Sequence, residues 1–219
     1  MKVILFGATG MVGQGVLREC LLDPRVERVL SVGRSTTGRT DAKLQELALK
    51  NLFDYSSVEH QLAGHDACFF CLGITSAGMS EEDYRRITHD LTLAAATVLA
   101  RLNPGMTFIY VSGQGTDSTE QGRAMWARVK GATENALLKL PFKAAYMFRP
   151  GIIRPLHGVR SKTALYQAFY TVLGPLLGLV AWAFPDSLTT TEQVGKAMLH
   201  AARDGAPKTY LENPDINRL

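Results

Sequence analysis

Short uninterrupted apolar runs alternate along this chain with longer stretches whose apolar residues recur every three or four positions. "KVILFGA" (2–8) is apolar throughout and ends in Gly, the pattern of a strand buried on both faces. Helical periodicity follows over 13–22 and stops at Asp23-Pro24. The same reading places strands at 26–34, 49–53, 67–73, 106–113 and 144–151, with a last short strand at 208–213. Helices are predicted over 42–48, 58–64, 80–102, 120–138 and 191–204. Ser80 and Asp83 form a capping box for the longest, and Asn103-Pro104-Gly105 end it. Repeated strand–helix units require right-handed crossovers, so the expected fold class is α/β, a doubly wound parallel sheet with helices on both faces.

With 219 residues, 46% hydrophobic and 20% charged, the chain is long enough for one core-forming domain. We read 1–219 as a single domain in which 151–190 is a small C-terminal segment covering the substrate. Within it, "ALYQAFYTVLGPLLGLVAWAF" (164–184) approaches the ~20 residues of a membrane span but contains Gln167 and Pro175. It reads as a helical hairpin over a pocket, with membrane-surface contact as the alternative. The run in "MKVILF" is shorter than the ~7 apolar residues of a signal peptide core. Three cysteines, Cys20, Cys68 and Cys71, do not form a disulfide framework. These features lead to an expectation of a cytoplasmic protein. The Cys68/Cys71 pair reads as strand rather than redox motif, and no metal site is expected. The net charge of +4 comes from scattered basic residues, which suits an anionic cofactor and not nucleic acid.

"GATGMVG" sets Gly7, Gly10 and Gly13 directly after the first strand and at the start of a helix. That context makes it a dinucleotide fingerprint of the Rossmann type: a tight turn, a close approach to pyrophosphate, and close helix–sheet packing. Thr9 adds a hydroxyl. The second strand ends in "GRS", without the acidic residue that binds the 2′-hydroxyl of NAD. Arg34 and Ser35 can instead meet a 2′-phosphate, which favours NADP over NAD.

In order, "GATGMVG", "CLGITSAG" (71–78), "VSGQGT" (111–116), "VKGATENAL" (129–137) and "FRPGII" (148–153) resemble an atypical short-chain dehydrogenase/reductase, similar to the Tat-interacting oxidoreductase-like proteins. The resemblance implies pyrophosphate contacts from Gly7, Thr9, Gly10, Met11, Val12 and Gly13. It implies an adenine contact at Asp54 and ribose and nicotinamide contacts at Leu72, Gly73 and Ile74. Ser112 matches the catalytic serine and Lys130 the helical lysine, which can hydrogen-bond the nicotinamide ribose and is read first as a cofactor-binding residue. Pro150, Gly151 and Ile152 match the turn beside the carboxamide. The two longest helices are typical dimer surfaces in such proteins.

The family's catalytic tyrosine has no counterpart: position 126, four residues before Lys130, is Trp. An indole N–H donates a hydrogen bond but does not release its proton near neutral pH. Trp126 therefore either packs over the cofactor or takes a polar role, and Tyr110, Tyr84 and His157 are alternative acids. Two readings follow. One is an NADP-dependent reductase of a small apolar carbonyl with an altered proton donor, using Ser112, Lys130 and Trp126. The other is a non-catalytic NADP(H)-binding sensor or scaffold for a protein partner.

Overall fold

A computed structural model describes residues 1–159 and 188–219. The central sheet has seven parallel strands in the order β3-β2-β1-β4-β5-β6-β9. They are β1 (Lys2–Phe6), β2 (Arg28–Gly33), β3 (Leu44–Ala48), β4 (Ala67–Phe70), β5 (Thr107–Val111), β6 (Ala144–Arg149) and β9 (Tyr210–Glu212). This is the doubly wound Rossmann arrangement expected from the alternation, with helices on both faces. Val3 to Phe6 are fully buried, which explains why β1 is apolar without alternation.

One face is covered by α1 (Met11–Leu22) and α6 (Thr191–Asp204), which place Val16, Leu17, Cys20, Val194 and Met198 in one core. The other is covered by α4 (Leu91–Leu102), whose Leu91, Ala95 and Leu99 join Phe6, Phe70 and Phe108. Those three rings stack in a row, with centroids 4.9 and 6.0 Å apart. The site lies where strand order reverses between β1 and β4, the point at which carboxyl ends of strands open a crevice.

Three elements differ from expectation. Residues 44–48 form β3, not a helix, and 49–53 form no strand. Pairing with β2 from Val29–Leu44 to Gly33–Ala48 outweighs the helix propensity of Leu, Gln, Glu and Ala. The long helix is interrupted: α3 (Glu81–Arg85) passes through a π-turn at Arg86–Asp90 into α4. Ser80 Oγ does accept from the Asp83 N–H at 3.1 Å, as the cap predicts. The next helix, α5 (Met125–Leu137), starts five residues later than expected, because 115–124 form a turn held by the Asp117 carboxylate.

A small second sheet pairs β7 (Ile152–Arg154) with β8 (Leu188–Thr190) in parallel. The hydrophobic stretch 164–184, with its covering and membrane-contact readings, lies outside the described residues. No described helix is long and apolar enough to cross a membrane.

Candidate functional site

Gly7 closes β1 with φ +79°, and a Cβ there would lie 2.7 Å from the backbone of Cys71 and Leu72. Only glycine fits both the conformation and the contact. The Gly10 N–H returns to the Gly7 carbonyl at 2.9 Å, and α1 starts at Met11 without a side-chain cap. The first helical bond runs from Gln14 N–H to Gly10 C=O at 2.8 Å. The N–H groups of Met11, Val12 and Gly13 precede it and belong to the positive end of the helix. A Cβ on Gly13 would collide with the Gly7 carbonyl, so this glycine sets the helix tight against the turn.

A cleft of about 630 Å³ opens from this turn. Gly7, Thr9, Gly10, Met11, Arg34, Ser35, Leu72, Gly73 and Ile74 all line it, as the sequence predicts. Val12 and Gly13 do not: the Val12 side chain packs against the core. Asp54 is also absent from the wall. It is exposed, and its carboxylate accepts the Ser56 N–H at 3.0 Å, capping the local turn. That hydrogen bond holds its carboxyl below the usual carboxylate range. Leu52 and Phe53 occupy the place expected for it.

Three wall residues were not anticipated: Lys50, Phe53 and Arg86. The Arg86 guanidinium stands 5.8 Å from the Phe53 ring centroid. Arg34, Lys50 and Arg86 give the cleft three cations against one carboxylate, Asp83.

A second pocket of about 440 Å³ shares Ile74 with the cleft and is lined by Tyr84, Ser112, Gly113, Gln114, Trp126, Lys130, Pro150, Gly151 and Ile152, among others. Helix α5 builds one wall, since Trp126, Lys130 and Glu134 recur every four residues on one helix face. The Trp126 ring lies 3.5 Å from where a Cβ on Gly115 would sit, and so packs on the loop after β5. The Lys130 ammonium donates to the Ser112 carbonyl oxygen. Burial pushes it down to about 8, against the opposing charge of Glu134.

Ser112 departs from expectation. Its hydroxyl turns inward and donates to Glu134 Oε1 at 2.5 Å, and it is 4% exposed. Glu134 is fully buried and is clamped by Arg149 from β6, with Nε to Oε1 at 3.1 Å and Nη2 to Oε2 at 2.5 Å. Glu134 sits four residues past Lys130 in "VKGATENAL", the one sequence signal that it belongs to the site.

The alternative acids separate cleanly. Tyr110 packs among Phe70 and its neighbours, 1% exposed, and burial drives its phenol far above the ordinary range. His157 pairs with Glu192 at 2.5 Å and is not on the pocket wall. Tyr84 lines the pocket, with its phenol raised by burial. The Cys68 and Cys71 thiols are likewise pushed up by burial, which makes them poor nucleophiles. Among the described residues there is no cluster of three or more His, Cys, Asp and Glu placed to hold a metal.

No family model matches the chain. It is 28% identical over 208 residues to the protein fmp52, mitochondrial, of Emericella nidulans, covering 91% of this chain and 86% of the relative. It is 26% identical over 157 residues to HTATIP2 of Rattus norvegicus, covering 69% and 62%. Among solved structures it is similar to Candida albicans Gre2 in complex with NADPH, with TM-score 0.70, 14% identity and coverage of 97% and 77%. It is also similar to Bordetella bronchiseptica WbmH in complex with NAD+, with TM-score 0.69, 14% identity and coverage of 96% and 74%. The names of the fungal relatives correct the cytoplasmic expectation, since those proteins are called mitochondrial. The chain is a homologue of the proteins named FMP52 and HTATIP2, built on a Rossmann fold.

Proposed function

We propose that the chain binds NADP(H) in preference to NAD(H) and reduces a small apolar carbonyl substrate in the second pocket. The observation that carries this reading is the adjacency of the two cavities, which share Ile74 in their walls. The glycine turn and first turn of α1 suit a pyrophosphate, and the cationic end of the same cleft suits a third phosphate. Ile74 also lines the second pocket, whose wall carries Lys130, Trp126 and the "RPG" turn. The fit is supported at Gly10 and Gly73. Gly73 has nothing within 4 Å of a built Cβ, so its backbone is open to a ligand, while a Cβ on Gly10 would press on the Gly7 carbonyl at 3.3 Å, so glycine keeps that turn tight. A bound dinucleotide would supply hydride; the chain's own part is to hold it, exclude water and manage the proton. The names of the fungal relatives make mitochondria the compartment in which to look for it.

The test is a pair of dissociation constants, read by isothermal titration calorimetry. NADPH binds at least tenfold more tightly than NADH, and Arg34→Ala removes most of that preference. Equal affinities in the unaltered protein would refute the NADP assignment. A second reading, a non-catalytic NADP(H) sensor, is favoured by two observations: Trp126 in place of a phenol, and the Ser112 hydroxyl spent on Glu134. Tight NADPH binding without oxidation of NADPH by any aldehyde, ketone or quinone tried would select that second reading.

A further inference from the structure

We infer that Lys130 is the proton donor of this site, delivering from Nζ the proton that a phenol at position 126 would supply. The inference rests on the carbonyl-reductase reading above. It follows from what the other wall residues can give. The Trp126 indole does not ionise near neutral pH. The Ser112 hydroxyl faces inward, committed to Glu134. Thr75, Ser76 and Gln114 carry only neutral, non-acidic groups. Tyr84 is 2% exposed, and burial holds its proton more firmly than usual.

Lys130 is placed differently. Its Nζ lies 3.8 Å from where a Cβ on Gly113 would sit, on the inner edge of the 112–114 turn that borders the pocket. Its hydrogen bond among the described residues goes to the Ser112 carbonyl, and an ammonium has three donors to offer. The charged group beside it is Glu134, one turn along α5 and paired to Arg149 of β6, and Tyr84 of α3 lines the same pocket. Burial brings the ammonium down to about 8, where it gives up a proton readily yet is mostly charged at neutral pH. In the reduction, a bound reduced dinucleotide would supply the hydride for the new C–H bond at the carbonyl carbon, losing its own C–H bond and two electrons. The π pair moves to oxygen, an Nζ–H bond breaks as the O–H bond forms, and the neutral amine is recharged from water.

Two measurements test this. In protein labelled with [ε-13C]lysine, the Lys130 resonance, identified by its loss in Lys130→Arg, titrates with a midpoint near 8. A midpoint above 10 overturns the inference whatever the turnover. With NADPH and 4-nitrobenzaldehyde or isatin, kcat falls as pH rises above about 8. Arginine keeps charge and hydrogen bonding but holds its proton, so Lys130→Arg retains NADPH affinity within about threefold. It lowers kcat by roughly 10² to 10⁴ and abolishes that pH dependence. Methylamine restores part of the activity of Lys130→Ala. Should that variant not fold, Lys130→Arg alone decides. A Lys130→Arg kcat within threefold of the unaltered protein overturns Lys130 as donor and leaves the reductase reading standing. NADPH binding with no turnover of either probe overturns the reductase reading, and this inference with it.

Discussion

Glu134→Ala tests the buried cluster behind the pocket. The Glu134 side chain is wholly buried and its partner Arg149 is 13% exposed, so both have surrendered most of their hydration. Two guanidinium N–H groups and the Ser112 hydroxyl converge on that carboxylate. Removing one partner of a buried pair costs about 3–5 kcal/mol, because Arg149 is left in a poorly solvated place with only Glu212, 3.9 Å away, as its counter-charge. The Ser112 hydroxyl keeps the Phe148 carbonyl as an acceptor at 3.2 Å, so it adds little to that cost. For a chain of this size each kcal/mol shifts the midpoint by about 2–4 °C, giving a loss of roughly 6–20 °C. Urea unfolding followed by circular dichroism measures the free energy directly. The double change Glu134→Leu with Arg149→Met leaves no orphan charge and loses less than Glu134→Ala alone. A loss below ~1 kcal/mol for Glu134→Ala, or a double variant less stable than the single one, would refute the cluster as a buried ion pair.

Three further outcomes are expected. Gly131→Ala destabilises by about 1–3 kcal/mol, because the new methyl would overlap the Asp117 carbonyl; an ordinary mid-helix Gly→Ala gains ~0.5–1 kcal/mol, so the sign of the change in urea unfolding decides. Asp54→Ala leaves NADPH affinity within twofold, since the carboxylate serves its own turn and not the cleft; a tenfold weakening would return it to the site. Glu192 is held down to about 2 by hydrogen bonds from His157 and Lys196, so its contribution is present above pH 4.5 and lost as pH falls toward 2. Glu192→Gln makes the stability–pH curve shallower over that window, by less than ~1 kcal/mol given the exposure of the pair.

What the sequence revealed divides along a physical line. Helix α6 begins and ends where its apolar spacing places it, because that signal is local; the Thr190 hydroxyl, accepting the Gln193 N–H, caps its start. The glycine turn is legible for the same reason: strand, turn and helix are contiguous. Strand β3 is not, since "LQELA" favours helix alone and becomes strand only through its partner 15 residues earlier. Ser112 illustrates the harder case. Its place in the chain was read correctly, but the direction of its hydroxyl depends on a carboxylate 22 residues away. Arg86 was hidden because no periodicity announces a π-turn.

That π-turn gives the two cavities a shared phase. The Leu91 N–H reaches back five residues to the Arg86 carbonyl, so the segment carries one residue more than a plain helix would. Each residue turns an α-helix by about 100°. Before the insertion Tyr84 lines the second pocket and Asp83 the cleft; Arg86, Ile87 and Leu91, within and just after it, line the cleft. Deleting any one residue from 88–90, none of which lines either cavity, would straighten the helix and rotate the side chains before it a quarter-turn or more against those after it. The two pockets would then fall out of step without the loss of a single contact residue, so alignment gaps at this point separate relatives that share this site from those that share only its fold.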